Sequence, residues 1–273
     1  MRIGVIGLGL IGGSIAKAWH AAGHEVYGYD VDAASIGLAV EEKVIQPLTE
    51  WRQWTPLVEQ IVLATPLAGV VPWIEALTAV QRHQPGWLID VSSVKTGVVQ
   101  TLANVSPPWA GLSLHPMAGR EHRGYRASDA QLFQGFVCAV IDDRVTKLPQ
   151  TLINQWMAVL GCRPVVVSPD DHDKMVAAVS HLPYLVSAAL LSAIGREPEQ
   201  VLSLAGSGFR DTTRVGASDP QLWEEIVLAN VNPVRQVLSQ YLTVLEQCQE
   251  DLEHGRFPDI LRHAPLVRQA ISF

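Results

Sequence analysis

A glycine-rich segment near the start of the chain restricts its possible folds more than any other feature. The apolar run 3–6 is followed by Gly7, Gly9 and Gly12 in the spacing GxGxxG, and helix-favouring residues come next. Gly7 permits a sharp strand-to-helix turn, Gly9 leaves room for a pyrophosphate against the backbone, and Gly12 lets the helix pack closely on its strand. The N–H groups at the start of such a helix attract an anion. The segment predicts a dinucleotide-binding unit, and a glycine-rich turn in another kind of α/β protein is the alternative.

The acid that ends the second predicted strand bears on the choice of dinucleotide. The strand 25–29 leads to Asp30, about 20 residues after the glycines, where a carboxylate is expected to bind a ribose 2′-hydroxyl. A carboxylate there repels a 2′-phosphate, Asp32 adds to the repulsion, and no Arg or Lys occurs between positions 27 and 42. We therefore predict NAD in preference to NADP. The alternative for Asp30 is a cap on a helix that would begin near Ala33.

Short β-branched runs alternate with helix-length segments through the first half of the chain. This alternation predicts an α/β fold with a Rossmann-type, doubly wound parallel sheet and helices on both faces. Ligands of such sheets bind outside the carboxyl ends of the strands, where Thr65, Ser93 and His115 fall. After the first two strands, the predicted strands are 61–65, 87–91, 111–114, 136–141 and 164–167.

The second half of the sequence has a different character. No convincing strand is found there, and the segments 175–194 and 220–252 carry apolar residues at helical spacing. The first segment is apolar nearly all round, which predicts a helix buried on most faces, and Pro233 is expected to kink or divide the second. We predict a dinucleotide-binding domain over 1–168 and an all-helical domain over 169–273. The helical domain is expected to form a homodimer, with a self-contained bundle as the alternative.

Composition argues against several classes of function. The 273 residues are 48% hydrophobic and include 20 basic against 27 acidic residues, a formal net charge of −7. This balance argues against a nucleic-acid partner or a membrane-surface role. Cys138, Cys162 and Cys248 lie far apart, which favours buried thiols in a reducing compartment over a metal site or a disulfide framework. Without a signal peptide or an uncharged apolar run of membrane-spanning length, the expected location is the cytoplasm.

Several polar residues are candidates for catalysis and substrate binding. His115 ends a predicted strand, and an imidazole at that place is suited to remove a hydroxyl proton. The alternative to this catalytic role is a histidine that only ends the strand. Ser93 ends a neighbouring strand, and His181 lies inside the apolar helical segment. Arg214 lies in a glycine-rich segment, and a guanidinium binds a carboxylate with two parallel hydrogen bonds. Asp211, three residues earlier, is placed to hold this arginine. The alternative interpretation is that Arg214 is a solvated surface charge.

Three short segments are distinctive: HPMAG at 115–119, SHLP at 180–183 and GFRDTTR at 208–214. Their combination is far more specific than any one alone, and it resembles that of the prephenate/arogenate dehydrogenases of tyrosine biosynthesis. The resemblance implies oxidative decarboxylation of prephenate or arogenate, with hydride transfer to a nicotinamide dinucleotide. Further matching segments, which extend the resemblance over nearly the whole chain, are 7–14, 90–95, 171–173 and 208–223.

The resemblance also implies roles for individual residues. His115 would accept the proton of the ring 4-hydroxyl, and Ser93 would bind that hydroxyl or orient His115. Arg214 would bind a substrate carboxylate with Asp211 as its partner. His181 would contact the substrate from the helical domain, and Gly119 falls in the same substrate site. The residues expected to hold the dinucleotide are Gly7, Gly9, Leu10, Ile11, Gly12, Asp30, Thr65 and Pro66.

One departure from the family pattern concerns the substrate side chain. Many members follow HPMAG with a small hydroxyl residue and Glu, whereas this chain has Arg120 and Glu121. Arg120 would contact substrate or cofactor, or pair with Glu121. A free acid near the side chain favours the ammonium of arogenate, and a free arginine disfavours it. The preference between prephenate and arogenate therefore stays open.

Two other functions fit parts of the sequence. A β-hydroxyacid dehydrogenase shares the two-domain layout, but that class resembles chains in which Lys is followed four residues later by Asn. Here Lys174 is followed by Ala178, and His115 and His181 have no role in that scheme. A non-catalytic dinucleotide-sensing protein would keep the glycines without needing a base or an arginine for anions. Reduction of NAD in the presence of prephenate separates a dehydrogenase from a sensor.

Overall fold

The computed structural model describes residues 1–120, 122–143 and 147–271. The chain divides into two compact units. One consists of Met1–Asp173 with Ser218–Ile226, and the other of Lys174–Ala217 with the residues from Val227 onward.

A seven-stranded sheet organises the first unit. Its strands are β1 (Arg2–Ile6), β2 (Glu25–Tyr29), β3 (Gln60–Leu63), β4 (Gly86–Asp90), β5 (Trp109–Pro116), β6 (Val137–Ile141) and β7 (Arg163–Val167). Their order is β2-β1-β3-β4-β5-β6-β7, and Leu63 of β3 pairs with both Ile6 of β1 and Asp90 of β4, so these strands end at the same edge. The predicted α/β class is confirmed, with a mixed and mostly parallel sheet.

The departure from a wholly parallel sheet is the antiparallel pairing of β5 with β6. In the described residues between these strands there is one short 3₁₀ helix, Tyr125–Ala127, and no α-helix. Parallel pairing needs a crossover connection, usually a helix, whereas a chain that returns without one pairs antiparallel. The expectation of an entirely parallel sheet is therefore wrong at this one junction.

Helices cover both faces of the sheet. They are α1 (Leu10–Ala21), α2 (Ala33–Glu41), α3 (Trp51–Trp54), α4 (Leu67–Thr78), α5 (Thr96–Ala103) and α6 (Gln150–Leu160). On one face α1 and α6 bury Trp19 against Trp156, with ring centroids 5.2 Å apart. On the other face α3, α4 and α5 contribute Trp54, Ile74 and Leu102 to a second core. Each fully buried tryptophan stabilises the fold by roughly 3–5 kcal/mol, the usual cost of its truncation to alanine.

No strand follows β7 in the part of the chain that the structure describes, which agrees with the prediction of a helical second half. The predicted helical segment 220–252 is two helices, which separate at Asn230. Pro233 lies in the first turn of the second of these helices, where its missing N–H has no intrahelical partner to lose. The helices are α7 (Pro169–Val176), α8 (Leu182–Ile194), α9 (Ser207–Thr213), α10 (Pro220–Ala229), α11 (Val231–Glu253) and α12 (Ala264–Gln269).

A continuous helical run, Pro169–Ile194, is long and apolar enough to cross a membrane by length and composition. The expectation that no such run exists is therefore wrong. Only 22% of its apolar window is buried within this chain, so burial on most faces needs a surface from outside the chain. The residues Ala177–His181 form a π-helical turn, because Pro183 lacks an N–H and its ring clashes with a carbonyl of the preceding turn. A single helix of this kind is weak evidence for a membrane span, since the core helix of a helical domain has the same composition.

Candidate active site

The glycine-rich turn adopts a conformation that requires glycine at two positions. Gly7 has a φ of +93°, in the region that side chains disfavour, and its N–H donates to the Tyr29 carbonyl at 2.8 Å. A Cβ on Gly12 would lie 1.8 Å from the Gly7 carbonyl oxygen. Glycine at both positions therefore allows α1 to begin directly against the end of β1.

The start of α1 offers space and hydrogen-bond donors to an anion. A Cβ on Gly9 would meet no atom within 4 Å. Gly9 caps α1 without a side-chain hydrogen bond, so no cap satisfies the N–H groups of the first turn, which begins with Leu10 and Ile11. The helix dipole adds to the attraction of these donors for negative charge. These residues fit the pyrophosphate of a dinucleotide.

Asp30 is fixed at the end of β2, beside the glycine turn. Its Oδ2 accepts the Leu8 N–H at 2.5 Å, and its Oδ1 accepts the Asp32 N–H at 2.8 Å. The cap of α2 is Asp32, whose carboxylate accepts the N–H groups of Ala34 and Ser35. Asp30 is therefore not the helix cap. Because a carboxylate has about four lone-pair sites, Asp30 keeps acceptor capacity for a ribose hydroxyl.

Other candidate residues follow the neighbouring strands β3 and β4. Thr65 and Pro66 lie between β3 and α4, and the Thr65 hydroxyl is buried without a hydrogen-bond partner in the described part of the chain. Ser93 lies in the loop between β4 and α5 and is half-buried. These residues share the strand-end edge with the glycine turn, because β3 pairs with both β1 and β4.

The candidate base His115 belongs to a hydrogen-bonded chain of three side chains within the first unit. His115 is half-buried near the end of β5, and its Nδ1 lies 2.9 Å from Nε2 of His172 in α7. Nδ1 of His172 in turn lies 2.8 Å from Oδ1 of Asp173. His172 and Asp173 are 2% and 3% exposed. A buried imidazole–carboxylate pair therefore holds the His115 ring.

Asp173 is held by the first residue of α5, Thr96, and by the residue before it, Lys95. Its Oδ1 accepts the Lys95 N–H at 2.9 Å, and its Oδ2 accepts the Thr96 N–H at 2.9 Å and the Thr96 hydroxyl at 2.5 Å. Burial by itself raises the pKa of the Asp173 carboxyl, but the hydrogen bonds from His172, Thr96 and the two amides outweigh it and hold the pKa below its ordinary value. Asp173 is therefore ionised at neutral pH.

A fully buried ion pair lies next to this chain of side chains. Lys95 Nζ donates to Asp90 Oδ2 at 2.6 Å and to the carbonyl of Leu114, the residue before His115, at 2.7 Å. Asp90 also accepts the Ser113 hydroxyl at 2.7 Å. Burial lowers the pKa of Lys95, and the Asp90 carboxylate opposes this effect. The pair links β4, β5 and the start of α5 at the end of the sheet that carries His115.

The segment after HPMAG is tied to α1. Arg120 pairs with Asp129 at 2.7 Å, and the Asp129 N–H donates to the Ser14 hydroxyl of α1 at 2.9 Å. Gly119 is exposed, and a Cβ there would meet no atom within 4 Å. Glu121, the other partner considered for Arg120, lies outside the described residues. The charge of Arg120 is therefore balanced by Asp129.

Three candidate substrate-binding residues lie in the second unit. His181 is 1% exposed, and its Nδ1 lies 3.2 Å from the side-chain nitrogen of Asn230. Arg214 follows α9 and is exposed. Asp211 pairs with Arg210 at 3.3 Å, and both side chains are mostly exposed. The expected role of Asp211 as a partner of Arg214 stays a prediction.

Sequence reasoning assigned no role to four residues of the first unit that the fold brings around His115. They are His172, Asp173, Asp90 and Lys95. In the sequence, their segments 90–95 and 171–173 carry only a resemblance to the family. The sequence does contain a sign of their importance: these charged residues occur in segments that the fold buries, and a buried charged side chain needs a partner.

Comparison with known proteins identifies relatives over most of the chain. Residues 15–166 match the family model described as prephenate dehydrogenase, nucleotide-binding domain, and residues 168–264 match prephenate dehydrogenase, dimerization domain. The cyclohexadienyl dehydrogenase of Zymomonas mobilis is 29% identical, over 96% of this chain and 92% of the relative. The prephenate dehydrogenase of Bacillus subtilis is 26% identical, over 94% of this chain and 71% of the relative.

Solved structures of similar fold agree with these matches. The prephenate dehydrogenase of A. aeolicus, in complex with hydroxyphenyl propionate and NAD+, superposes with a TM-score of 0.89 at 25% identity, covering 100% of this chain and 98% of the other. The Synechocystis arogenate dehydrogenase superposes with a TM-score of 0.78 at 28% identity, covering 98% and 97%. The long apolar helix of this chain falls within the residues that match the dimerization domain, so it is a core helix of that domain.

Proposed function

The chain belongs to the prephenate dehydrogenase family, and from that premise we propose that His115 accepts the hydroxyl proton of the substrate during oxidation. The enzyme is an NAD-dependent prephenate/arogenate dehydrogenase of tyrosine biosynthesis. The observation that carries the proposal is the buried His172–Asp173 pair on Nδ1 of His115, since a histidine that merely ends a strand needs no such support.

The reaction requires little beyond positioning and one base. When bound, a nicotinamide dinucleotide accepts the hydride that leaves C4 of the substrate ring. His115 takes the proton from the 4-hydroxyl as C4 becomes a carbonyl carbon. The bond from C1 to the ring carboxylate then breaks, carbon dioxide leaves, and the bonding electron pair completes the aromatic ring as the C4 carbonyl oxygen becomes a phenolate oxygen. Aromatisation makes the step irreversible, and a base of this kind contributes about 10²–10⁴-fold to the rate.

NAD is the proposed cofactor in preference to NADP. The carboxylate of Asp30 is fixed at the end of β2 with acceptor capacity to spare, and it repels a 2′-phosphate. Gly7, Gly9 and Gly12, with the first-turn N–H groups at Leu10 and Ile11, would hold the pyrophosphate. Thr65 and Pro66 would line the same strand-end edge.

The substrate is proposed to be held by the remaining candidates. Arg214, an exposed residue, would bind a substrate carboxylate through its guanidinium, and Ser93 would hydrogen-bond the 4-hydroxyl or orient His115. His181 and Gly119 are proposed substrate contacts. Asp211 is proposed to orient Arg214 once it leaves Arg210, a rearrangement between neighbouring exposed side chains. Because Asp129 balances the charge of Arg120, we propose that Arg120 does not select against the ammonium group of arogenate.

The dimerization-domain match supports a homodimer through the helical domain. The cytoplasm is the proposed location. The limited burial of the apolar helix within one chain is consistent with a second copy covering it, because exposed apolar surface of this extent favours association.

The proposal is tested by His115→Gln. We expect turnover to fall by about 10²–10⁴-fold with NAD affinity nearly unchanged, since the base acts only in the transition state. His83→Gln, at an exposed position away from these residues, is the matched control and should retain full activity. Unchanged turnover in His115→Gln would remove this residue from the mechanism. Parallel assays of prephenate and arogenate with NAD and NADP test the cofactor and substrate proposals.

A further inference from the structure

We propose that His172 and Asp173 are positioning residues that fix the His115 ring with its proton on Nδ1, so that Nε2 receives the hydroxyl proton of the substrate. This inference rests on the proposed role of His115 as the base and adds the atom that acts. It also assigns a function to two residues that do not themselves need to touch the substrate.

The direction of each hydrogen bond follows from the carboxylate end of the chain of side chains. An ionised Asp173 can only accept, so the 2.8 Å contact requires a proton on Nδ1 of His172. Nε2 of a neutral His172 is then an acceptor. The 2.9 Å contact with His115 therefore requires His115 Nδ1 to donate. One of the two nitrogens of a neutral imidazole carries the proton, which leaves Nε2 of His115 as its basic atom.

The orientation of Asp173 is itself fixed, and this makes the assignment specific. Four donors converge on its two oxygens: His172, the hydroxyl of Thr96, and the amides of Lys95 and Thr96. Rotating the carboxylate would break several of these bonds in a buried setting, where unpaired donors are costly. Asp173 thus stays in place while His115 changes its protonation state.

The same pair stabilises the imidazolium that forms on His115. His172 and Asp173 together carry one negative charge, and they contact His115 on the side of Nδ1. Other charged groups on the packed elements include Lys95 and Asp90, which pair with each other, and Asp170, Asp171 and Lys174 on α7. Cys138 on β6 is neutral, because burial raises the pKa of its thiol to about 12. The carboxylate of Asp173 therefore acts on His115 through His172, from the Nδ1 side of the ring.

The first test is the pH profile of kcat in His172→Phe. We expect kcat to fall by about 10²–10³-fold, with the KM of prephenate and the Kd of NAD changed by less than about threefold. Activity needs neutral His115, and loss of the pair disfavours the imidazolium, so the acid limb of the profile should move to lower pH. His172→Gln offers a carbonyl oxygen near the former Nε2 and should recover about tenfold of the loss. A fall in kcat with an unmoved acid limb, or no fall at all, would overturn the proposal.

The second test measures the tautomer in the unmodified enzyme and does not depend on variants that fold. Ring-nitrogen correlation spectra of the chain labelled with ¹⁵N-histidine distinguish a protonated from an unprotonated nitrogen, and His115→Gln identifies the His115 signals. The proposal requires a protonated Nδ1 and an unprotonated Nε2. The reverse arrangement, which a protonated His172 would impose, would overturn it. Because His115→Gln tests the base separately, failure of the tautomer assignment leaves the proposed function intact.

Discussion

Replacing Lys95 with methionine should destabilise the first unit by about 3–5 kcal/mol, the usual cost of breaking a buried ion pair from one side. Lys95 and Asp90 are both fully buried, and Lys95 Nζ makes two charge-assisted hydrogen bonds, at 2.6 Å to Asp90 and 2.7 Å to the Leu114 carbonyl. At roughly 1.5–3 kcal/mol for each such bond, the loss amounts to about 3–6 kcal/mol. The loss expected from the broken ion pair and the loss expected from the two hydrogen bonds therefore agree.

The matched variant carries Asp90→Asn together with Lys95→Met. An asparagine keeps the acceptor for the Ser92 N–H, and its amide nitrogen can donate to the Ser113 hydroxyl, so no charge is left buried. We expect the double variant to be at least about 2 kcal/mol more stable than Lys95→Met alone, since removing both charges relieves the penalty of the unpaired one.

Urea unfolding followed by tryptophan fluorescence measures this effect in the relevant part of the molecule. All 8 tryptophans lie in the first unit, so the signal reports on that unit alone. Arg52→Met removes a cation from an exposed pair with Glu50 and serves as the control, with an expected loss below about 1 kcal/mol. The reasoning is refuted if Lys95→Met costs no more than this control, or if the double variant is no more stable than the single one.

Three further predictions concern the cofactor, the substrate and acid stability. Asp30→Ser should raise the preference for NADP by removing the carboxylate that repels a 2′-phosphate, and an unchanged ratio of kcat/KM for the two cofactors would contradict the ribose assignment. Arg214→Ala should raise the KM of prephenate by about 10–100-fold, as expected for loss of a charged hydrogen bond, while Arg210→Ala should not; equal KM values in both variants would count against Arg214. The lowered pKa of Asp173 stabilises the fold above its unfolded pKa, about 3.9, and this stability is lost as the pH falls through the folded value. Asp173→Asn should therefore flatten the pH dependence of unfolding below about pH 4, and an unaltered dependence would show that other carboxyl groups control it.

The nucleotide-binding turn was predictable because its determinants are local. Gly7 and Gly12 are required by contacts within a single strand–turn–helix unit, and Asp30 follows at the end of the next strand. Alternating strands and helices predicted the layered sheet for the same reason, since the pattern of each element is contained in a few consecutive residues. The antiparallel pairing of β5 with β6 was not predictable in this way, because the direction of a strand depends on the path of the loop before it.

The environment of His115 was decided by tertiary structure. His115 and His172 are 57 positions apart, and Lys95 and Asp173 are 78 apart, so no periodicity in the sequence relates them. The burial of the long apolar helix also depends on tertiary structure, because composition shows that its surface is apolar but not whether the same chain covers it. The sequence alone determined which residues could bind a dinucleotide and supply a base. Folding decided that Nδ1 of His115 faces the buried His172, because only the packed sheet brings distant polar groups within hydrogen-bond distance and excludes the water that would otherwise compete for them.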